Sequence, residues 1–269
     1  MERKKVGLAL SGGAARGFAH VGVLKVLKEN GIPIDYIAGT SAGSFAGGAF
    51  AAGMSIDSII ELSRNISWYK VSGLSWSAKG LISNAPIAKL IRDKFPFNKF
   101  EDLMIPFAAV ATDLETGTEV VFKDEGDIGF AICASCAIPG IFAPLQDKDG
   151  RLYVDGGVVA PVPTNAVRQM GADVVIAVDV ISSGATYWGK PSTLVGIILQ
   201  SALMLLRTAS VNQHYQADCV IIPEIAHLRP DDIGKMEEYV TLGEKAAVRK
   251  LDEIRDLIFG NEGEKANGE

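Results

Sequence analysis

Apolar positions along this chain alternate between two periods. A short unbroken run at residues 6–10 has the length and composition of a buried strand. Phe18, Val21, Leu24 and Leu27 then recur at helical spacing and predict a helix over 18–30, with Lys25 and Lys28 near the end where cations suit the dipole. Asn30 and Gly31 supply a C-cap, and Pro33 prevents continuation. A second run, Tyr36, Ile37 and Ala38, breaks at Gly39 and resumes after Gly43 as an Ala/Gly-rich helical pattern. The opening therefore reads as strand, loop, helix, strand, sharp turn, helix, which is a parallel crossover unit.

The same two periods continue. Ser55 caps a predicted helix reaching Ser63, and residues 86–95 read as another. Strands are predicted at 107–112 and 119–122, joined by a turn through Glu115, Thr116 and Gly117. Asp127 caps a helix expected to reach Ala137, stopped by Pro139 and Gly140. Short extended pieces at 141–142 and 152–154 flank a turn at 147–150. A helix over 164–171, a β-branched strand over 173–180 and a strand over 219–222 follow. A last helix over 236–259 places Ala247, Leu251, Ile254 and Ile258 on one face. Residues 67–84 follow neither period. Their Trp68, Tyr69, Leu74, Trp76, Leu81 and Ile82 are expected to pack onto the core, with a lid or lipid-facing rim as the second reading.

Neither an internal repeat nor a dividing linker interrupts the pattern. It predicts one α/β domain over 1–259, three layers α/β/α around a mostly parallel sheet, and a polar tail over 260–269 expected to be disordered. Residues 193–206 form an apolar helix only about two-thirds of bilayer-crossing length. It carries Gln200 and Ser201 and is closed by Arg207, so it is read as a buried or interface helix, with contact at a membrane surface as the lesser reading.

Charge and cysteine content narrow the classes. A net charge of −6 argues against nucleic acid as a partner, although Arg3, Lys4 and Lys5 make a small basic start. Three cysteines do not make a disulfide framework, and the charges at 2–5 lead into a strand, unlike a signal peptide. A cytoplasmic protein, at most peripheral to a membrane, is expected. The oligomeric state is left open.

Candidate chemistry centres on Gly39-Thr40-Ser41-Ala42-Gly43, a Gly-x-Ser-x-Gly at a strand-to-helix turn. Small residues at 39 and 43 let backbone and helix approach closely, and Ser41 stands at a helix N-terminus. The plain alternative is a βα turn rich in small residues. The loop Ser11-Gly12-Gly13-Ala14-Ala15-Arg16-Gly17 lacks the Walker and dinucleotide spacings. It reads as a phosphate cradle, as an oxyanion hole, or as a plain turn; a serine elbow on the next strand favours the oxyanion hole. Arg16 could hold the loop or add positive potential.

A serine hydroxyl needs a base. His20 lies in an apolar helix and reads as a core histidine, while His214 and His227 fit a late triad histidine in chain order. Asp155 competes with them, at a strand end followed by Gly156 and Gly157; as a base it would need desolvation or close contact with the serine. Cys133 and Cys136 are spaced C-x-x-C inside a helical pattern and are read as helix packing. Asp113 and Glu115 read as capping groups of a turn. No cluster suggests a metal, calcium included.

Taken together, Gly12-Gly13-Ala14-Ala15-Arg16-Gly17, Gly39-Thr40-Ser41-Ala42-Gly43 and Asp155-Gly156-Gly157 resemble, in this order, the patatin-like phospholipase family. Residues 134–142, with Ile138-Pro139-Gly140, are similar to its connecting segment, and the likeness covers about residues 5–180. The resemblance implies the patatin-like fold and a serine–aspartate dyad, with Ser41 as nucleophile, Asp155 as base and no catalytic histidine. It implies an oxyanion hole from the loop Gly12, Gly13, Ala14, Ala15, Arg16 and Gly17, fatty-acyl ester or phospholipid substrates, and no cofactor. Ala14 stands where many members have glycine; alanine offers the same N–H provided its φ/ψ is allowed. Acyl transfer on the same dyad and a non-catalytic anion-binding module are the alternatives.

Overall fold

The computed structural model describes residues 3–65, 82–183 and 191–260. Its first half runs β1 (Val6–Leu10), α1 (Phe18–Glu29), β2 (Tyr36–Thr40), α2 (Ala42–Ala51), α3 (Ile56–Asn65), α4 (Ala85–Lys94), β3 (Phe107–Asp113), β4 (Glu119–Lys123) and α5 (Ile128–Ser135). The second half adds β5 (Leu145–Gln146), β6 (Leu152–Asp155), α6 (Thr164–Gln169), β7 (Val174–Val178), α7 (Leu194–Gln213), β8 (Cys219–Ile221), α8 (Met236–Val248) and α9 (Leu251–Phe259).

The sheet is mixed and mostly parallel. β8, β7, β1, β2 and β3 follow one another in parallel, while β4 and β6 pair antiparallel with β3 and β5 forms a hairpin with β6. Strand period sorts the side chains by size. Val6, Leu8, Leu10, Ile37, Phe107, Val174 and Ile176 face the larger core, under helices α1 to α5 and α9. Ala9, Ala38, Ala108, Val175 and Ala177 face the other side, where Ala166 and Val167 of α6 close over them. That face consists of small residues because α6 sits close: a Cβ on Gly7 would lie 2.6 Å from both Ala172 Cβ and Val167 Cγ2.

Local signals act as expected at several ends. Asp127 accepts the Phe130 amide at 2.8 Å as the cap of α5, and Gly31 turns with φ 66° after α1. Asp113 accepts the Glu115 and Thr116 amides in the turn before β4. Four expectations change. Helix α5 ends at Ser135: Cys136 departs to φ −99°, ψ 7°, the Ala137 N–H bonds Ala134 O three residues back, and the freed Ala137 carbonyl accepts the Asp155 amide at 2.9 Å. Residues 141–142 form no strand; Phe142 makes only an isolated bridge to Ile82. The last helix is two, turning at Lys250 (φ −107°, ψ −1°): α8 packs on α1 while α9 turns to β7, keeping Leu251, Ile254 and Ile258 buried. Helix α7 extends to Gln213, and its outward face is exposed, so it is not a buried helix.

Trp68, Tyr69, Leu74, Trp76 and Leu81 lie outside the described residues, as does the expected tail beyond Gly260; Ile82 packs half-buried against the core. Among the described residues, no helix is long and apolar enough to cross a membrane.

Helices α1 and α8 cross at two glycines: a Cβ on Gly22 would collide with the Val240 carbonyl and one on Gly243 with the Ala19 carbonyl. Gly243→Ala is therefore expected to destabilise the fold by about 1–3 kcal/mol through overpacking. Denaturant unfolding measures this, and an unchanged midpoint contradicts such a crossing.

Candidate active site

Register on β3 brings the two candidate residues together. Ala111 and Thr112 pair with both β4 and β6, so those strands lie on opposite edges of β3. β4 also pairs with residues 108–110, where β2 holds the other edge, and β6 therefore shares the edge of β2. The two strands arrive from opposite directions and meet end to end, Thr40 opposite Val110 and Asp155 opposite Ala111. Ser41 leaves the sheet where Asp155 ends it.

At that junction the chain turns sharply. Ser41 has φ 51° and ψ −121°, a region that ordinary residues rarely occupy. Glycine is required on both sides: a Cβ on Gly39 would collide with the Gly43 carbonyl, and one on Gly43 with the Leu10 carbonyl. The strained residue is held from below. Ser135, fully buried at the end of α5, accepts the Ser41 N–H at 2.8 Å and donates to the Val110 carbonyl at 2.6 Å. One hydroxyl thus satisfies two backbone groups that the departing strand would leave unpaired. Ser135 was not singled out in the sequence, since a serine in an apolar helix carries no signal of this contact.

Asp155 is buried, with 6% exposure. Its Oδ1 accepts the Gly157 amide at 2.7 Å, and Thr112 Oγ1 donates to its backbone carbonyl at 3.0 Å. Gly156 is needed because a Cβ there would collide with the Val110 carbonyl. Burial raises the Asp155 pKa to about 6, against the opposing pull of the nearby Ser41 hydroxyl and the Gly157 N–H. At neutral pH such a group is largely ionised, yet it is a far stronger base than an exposed carboxylate.

The loop divides into free and occupied amides. Gly12 donates to Pro161 O (3.0 Å), Ala15 to Pro230 O (2.9 Å) and Arg16 to Gly13 O (3.1 Å). Those three N–H groups hold the loop and do not point into an open hole, a narrower donor set than the whole loop. The amides of Gly13 and Ala14 have no acceptor among the described residues, and Ala42, at the first turn of α2, also keeps its N–H. Ala14 takes φ 50°, so this alanine occupies the left-handed conformation at a cost of about 1–2 kcal/mol. Gly13 has φ 147°, and a Cβ there would come within 2.5 Å of Val180 Cγ2. Gly17 lets the loop rest against Ala42. The buried Arg16 guanidinium donates to the Leu228 carbonyl through Nε (3.2 Å) and Nη2 (2.9 Å), anchoring the loop to the 228–230 segment.

None of the three histidines hydrogen-bonds Ser41. His20 Nε2 meets the Ser11 carbonyl at 2.8 Å, and burial lowers its pKa to about 4. His214 Nε2 meets Asp179 Oδ2 at 2.6 Å, and His227 Nε2 meets Glu238 Oε1 at 3.0 Å. Of the two helix cysteines, Cys133 is buried in the core; Cys136 instead lines the cavity beside Ser41, and burial raises both thiols well above their usual range. Above Ser41 opens a cavity walled by Phe18, Val21, Phe45, Ile59, Leu90 and Phe142, almost wholly apolar. Among the described residues, no three His, Cys, Asp or Glu side chains group to hold a metal.

Comparison with known proteins agrees on the region that carries these parts. Residues 8–168 match the family model described as patatin-like phospholipase. Uncharacterized NTE family proteins of Mycobacterium bovis and Mycobacterium tuberculosis are 41% identical over 184 residues, 67% of this chain and 50% of theirs. Patatin-like phospholipase domain-containing protein 6 of Homo sapiens is 36% identical over 190 residues, covering 67% of this chain and 14% of that protein. This chain thus spans half or less of these relatives. Crystal structures of VipD from Legionella pneumophila and of the type III effector protein ExoU match with TM-scores of 0.51 and 0.53 at 14% and 16% identity. They cover 94% and 93% of this chain and 67% and 53% of those chains, a likeness of fold.

Two stability effects follow from this geometry. Ser135→Ala leaves the Ser41 N–H and the Val110 carbonyl unpaired and is expected to cost about 1–3 kcal/mol for each group left unsatisfied. A denaturant midpoint shifted no more than by an exposed Ser→Ala contradicts the bridge. Asp155 has a folded pKa of about 6 against an ordinary 3.8, so between these values the folded state binds more protons than the unfolded one. Stability contributed by this group therefore falls as pH rises from 3.8 to 6. Asp155→Asn is expected to be more stable than the parent by on the order of 2–3 kcal/mol at pH above about 7, the gain vanishing below about pH 4. Thermal melts across pH measure it; a variant less stable at high pH contradicts the buried charge.

Proposed function

This chain belongs to the patatin-like phospholipase family, and from that premise we propose that it is a serine acyl-ester hydrolase acting on lipids through a Ser41–Asp155 dyad. The observation that carries the proposal is the head-on meeting of β2 and β6 on β3, which sets a strained serine beside a buried carboxylate. Ser41 Oγ attacks the acyl carbonyl while Asp155 takes its proton, a role suited to a carboxylate whose pKa lies near 6. Negative charge developing on the carbonyl oxygen is met by the Gly13 and Ala14 amides and by the Ala42 amide at the N-terminus of α2. Asp155 returns the proton to the departing alcohol, leaving an acyl-Ser41 ester; water, deprotonated by the same carboxylate, then releases the fatty acid. The apolar cavity beside Ser41 receives the acyl chain, and no step calls for a cofactor.

An acceptor alcohol in place of water would turn the same chemistry into acyl transfer, and adding one to the assay separates the two outcomes. Turnover of a chromogenic fatty-acyl ester is expected, lowered by about 10³-fold or more in Ser41→Ala and in Asp155→Asn. Because the base must be ionised in the free enzyme, kcat/KM should rise with pH through about 6 and then level off. Full activity of Ser41→Ala, or a rate that falls as pH rises through that value, would sink the proposal.

A further inference from the structure

We infer that the outward face of α7 is a docking surface for a lipid bilayer. The helix has 20 residues and two different apolar faces. Its inward face is fastened at the edge of the candidate site. Leu206 packs against Gly157, where a Cβ would lie 3.0 Å from its Cδ1. Ser210 and His214 both bond the buried Asp179 carboxylate just past β7. Gln213 accepts the Val162 amide at 2.7 Å and donates to the Val159 carbonyl at 3.4 Å.

Among the described residues, nothing covers the outward face. Leu194, Ile197, Ile198, Met204, Leu205 and Val211 recur at helical spacing and are 73%, 50%, 59%, 52%, 73% and 42% exposed. At 1.5 Å per residue the stripe runs about 26 Å, longer than the scattered apolar exposure of an ordinary surface. Val158, 54% exposed, stands one residue beyond Gly157 and carries the apolar surface on toward Asp155.

Two observations select a bilayer as the occupant. The polar residues within the stripe are already satisfied: Ser201 Oγ donates to the Ile197 carbonyl at 2.9 Å and Thr208 Oγ1 to the Met204 carbonyl at 3.2 Å. A helix face that enters hydrocarbon favours hydroxyls already bonded to their own backbone, as these two are, while Asn212 keeps an exposed amide only at the C-terminal end of the stripe. Charge points the same way. From Val180 to Ala217 the sequence contains no Asp or Glu, only Lys190, Arg207 and His214, in a chain with 32 acidic residues and net charge −6. It is the longest stretch of the chain without an acidic residue, and a neutral or weakly anionic lipid surface would not repel it. A second copy seated here would stand at the border of the dyad, whereas a bilayer brings substrate to it. Only that last point rests on the hydrolase reading.

The test is co-sedimentation of the intact protein and a Leu194→Gln/Ile198→Gln/Leu205→Gln variant with phosphatidylcholine vesicles, with and without phosphatidylglycerol, beside turnover of a short soluble ester. The three positions are exposed and glutamine is a good helix former, so the variant keeps its fold. The intact protein is expected to pellet with both vesicles, and the variant to lose about tenfold or more in partition. Soluble-ester turnover is expected to stay unchanged. Intact protein left in the supernatant, or a variant that pellets equally well, overturns the docking face. A dimer in sedimentation velocity that the variant dissociates assigns the face to a second copy and likewise overturns it. Vesicle binding lost in the variant without ester turnover in either protein upholds the docking face and overturns the hydrolase reading alone.

Discussion

One edge of β3 is shared by two strands that approach from opposite ends. β2 stops at Thr40 opposite Val110, and β6 stops at Asp155 opposite Ala111. Neither can continue without running into the other, so each chain must leave the sheet at that point. The departures explain the local chemistry. The glycines at 39, 43 and 156 are positions where backbone passes over backbone too closely for any Cβ. Ser135 fills the hydrogen-bonding gap where β2 turns away. A serine and a carboxylate 114 positions apart in sequence thereby become neighbours through ordinary sheet geometry.

Burial sets both the basicity of Asp155 and its cost. A carboxylate in water is a weak base; Asp155, closed in by the sheet and the turn after it, is pushed to about 6. The same desolvation disfavours the ionised fold, so the base role proposed for this residue and its stability pull in opposite directions. Ser41 and Ala14 add a second cost, both held at positive φ. Packing around them is correspondingly dense, with Gly13 against Val180 and Gly17 against Ala42 leaving the loop little freedom to relax.

Much of this was legible in the sequence, and what was not shares a cause. Local signals were readable: the crossover unit, the elbow glycines and the cap at Asp127 each depend on neighbours a few residues away. Three resembling blocks in order also pointed to the Ser41 and Asp155 positions. Long-range pairings were not readable. Gly12 and Ala15 donate to carbonyls at Pro161 and Pro230, far along the chain, so no local pattern could tell which loop amides remain free. The histidines had to stay open for the same reason, since the Ser11 carbonyl, Asp179 and Glu238 that occupy them are fixed only by the fold. Periodicity marked 193–206 as an apolar helix but could not say which face would be covered. The break at Lys250 likewise answers to two distant packing partners and has no proline or glycine to announce it.

The central claim is that Ser41 reacts with the help of Asp155 and without a histidine. Fluorophosphonate labelling tests it most directly, comparing the intact protein, Ser41→Ala, Asp155→Asn and a variant with all three histidines replaced, each checked for folding by circular dichroism. The account predicts covalent labelling that is lost with Ser41, strongly slowed with Asp155→Asn and retained without histidines. Labelling that disappears in a folded histidine-free variant, or survives unchanged in Asp155→Asn, would contradict it.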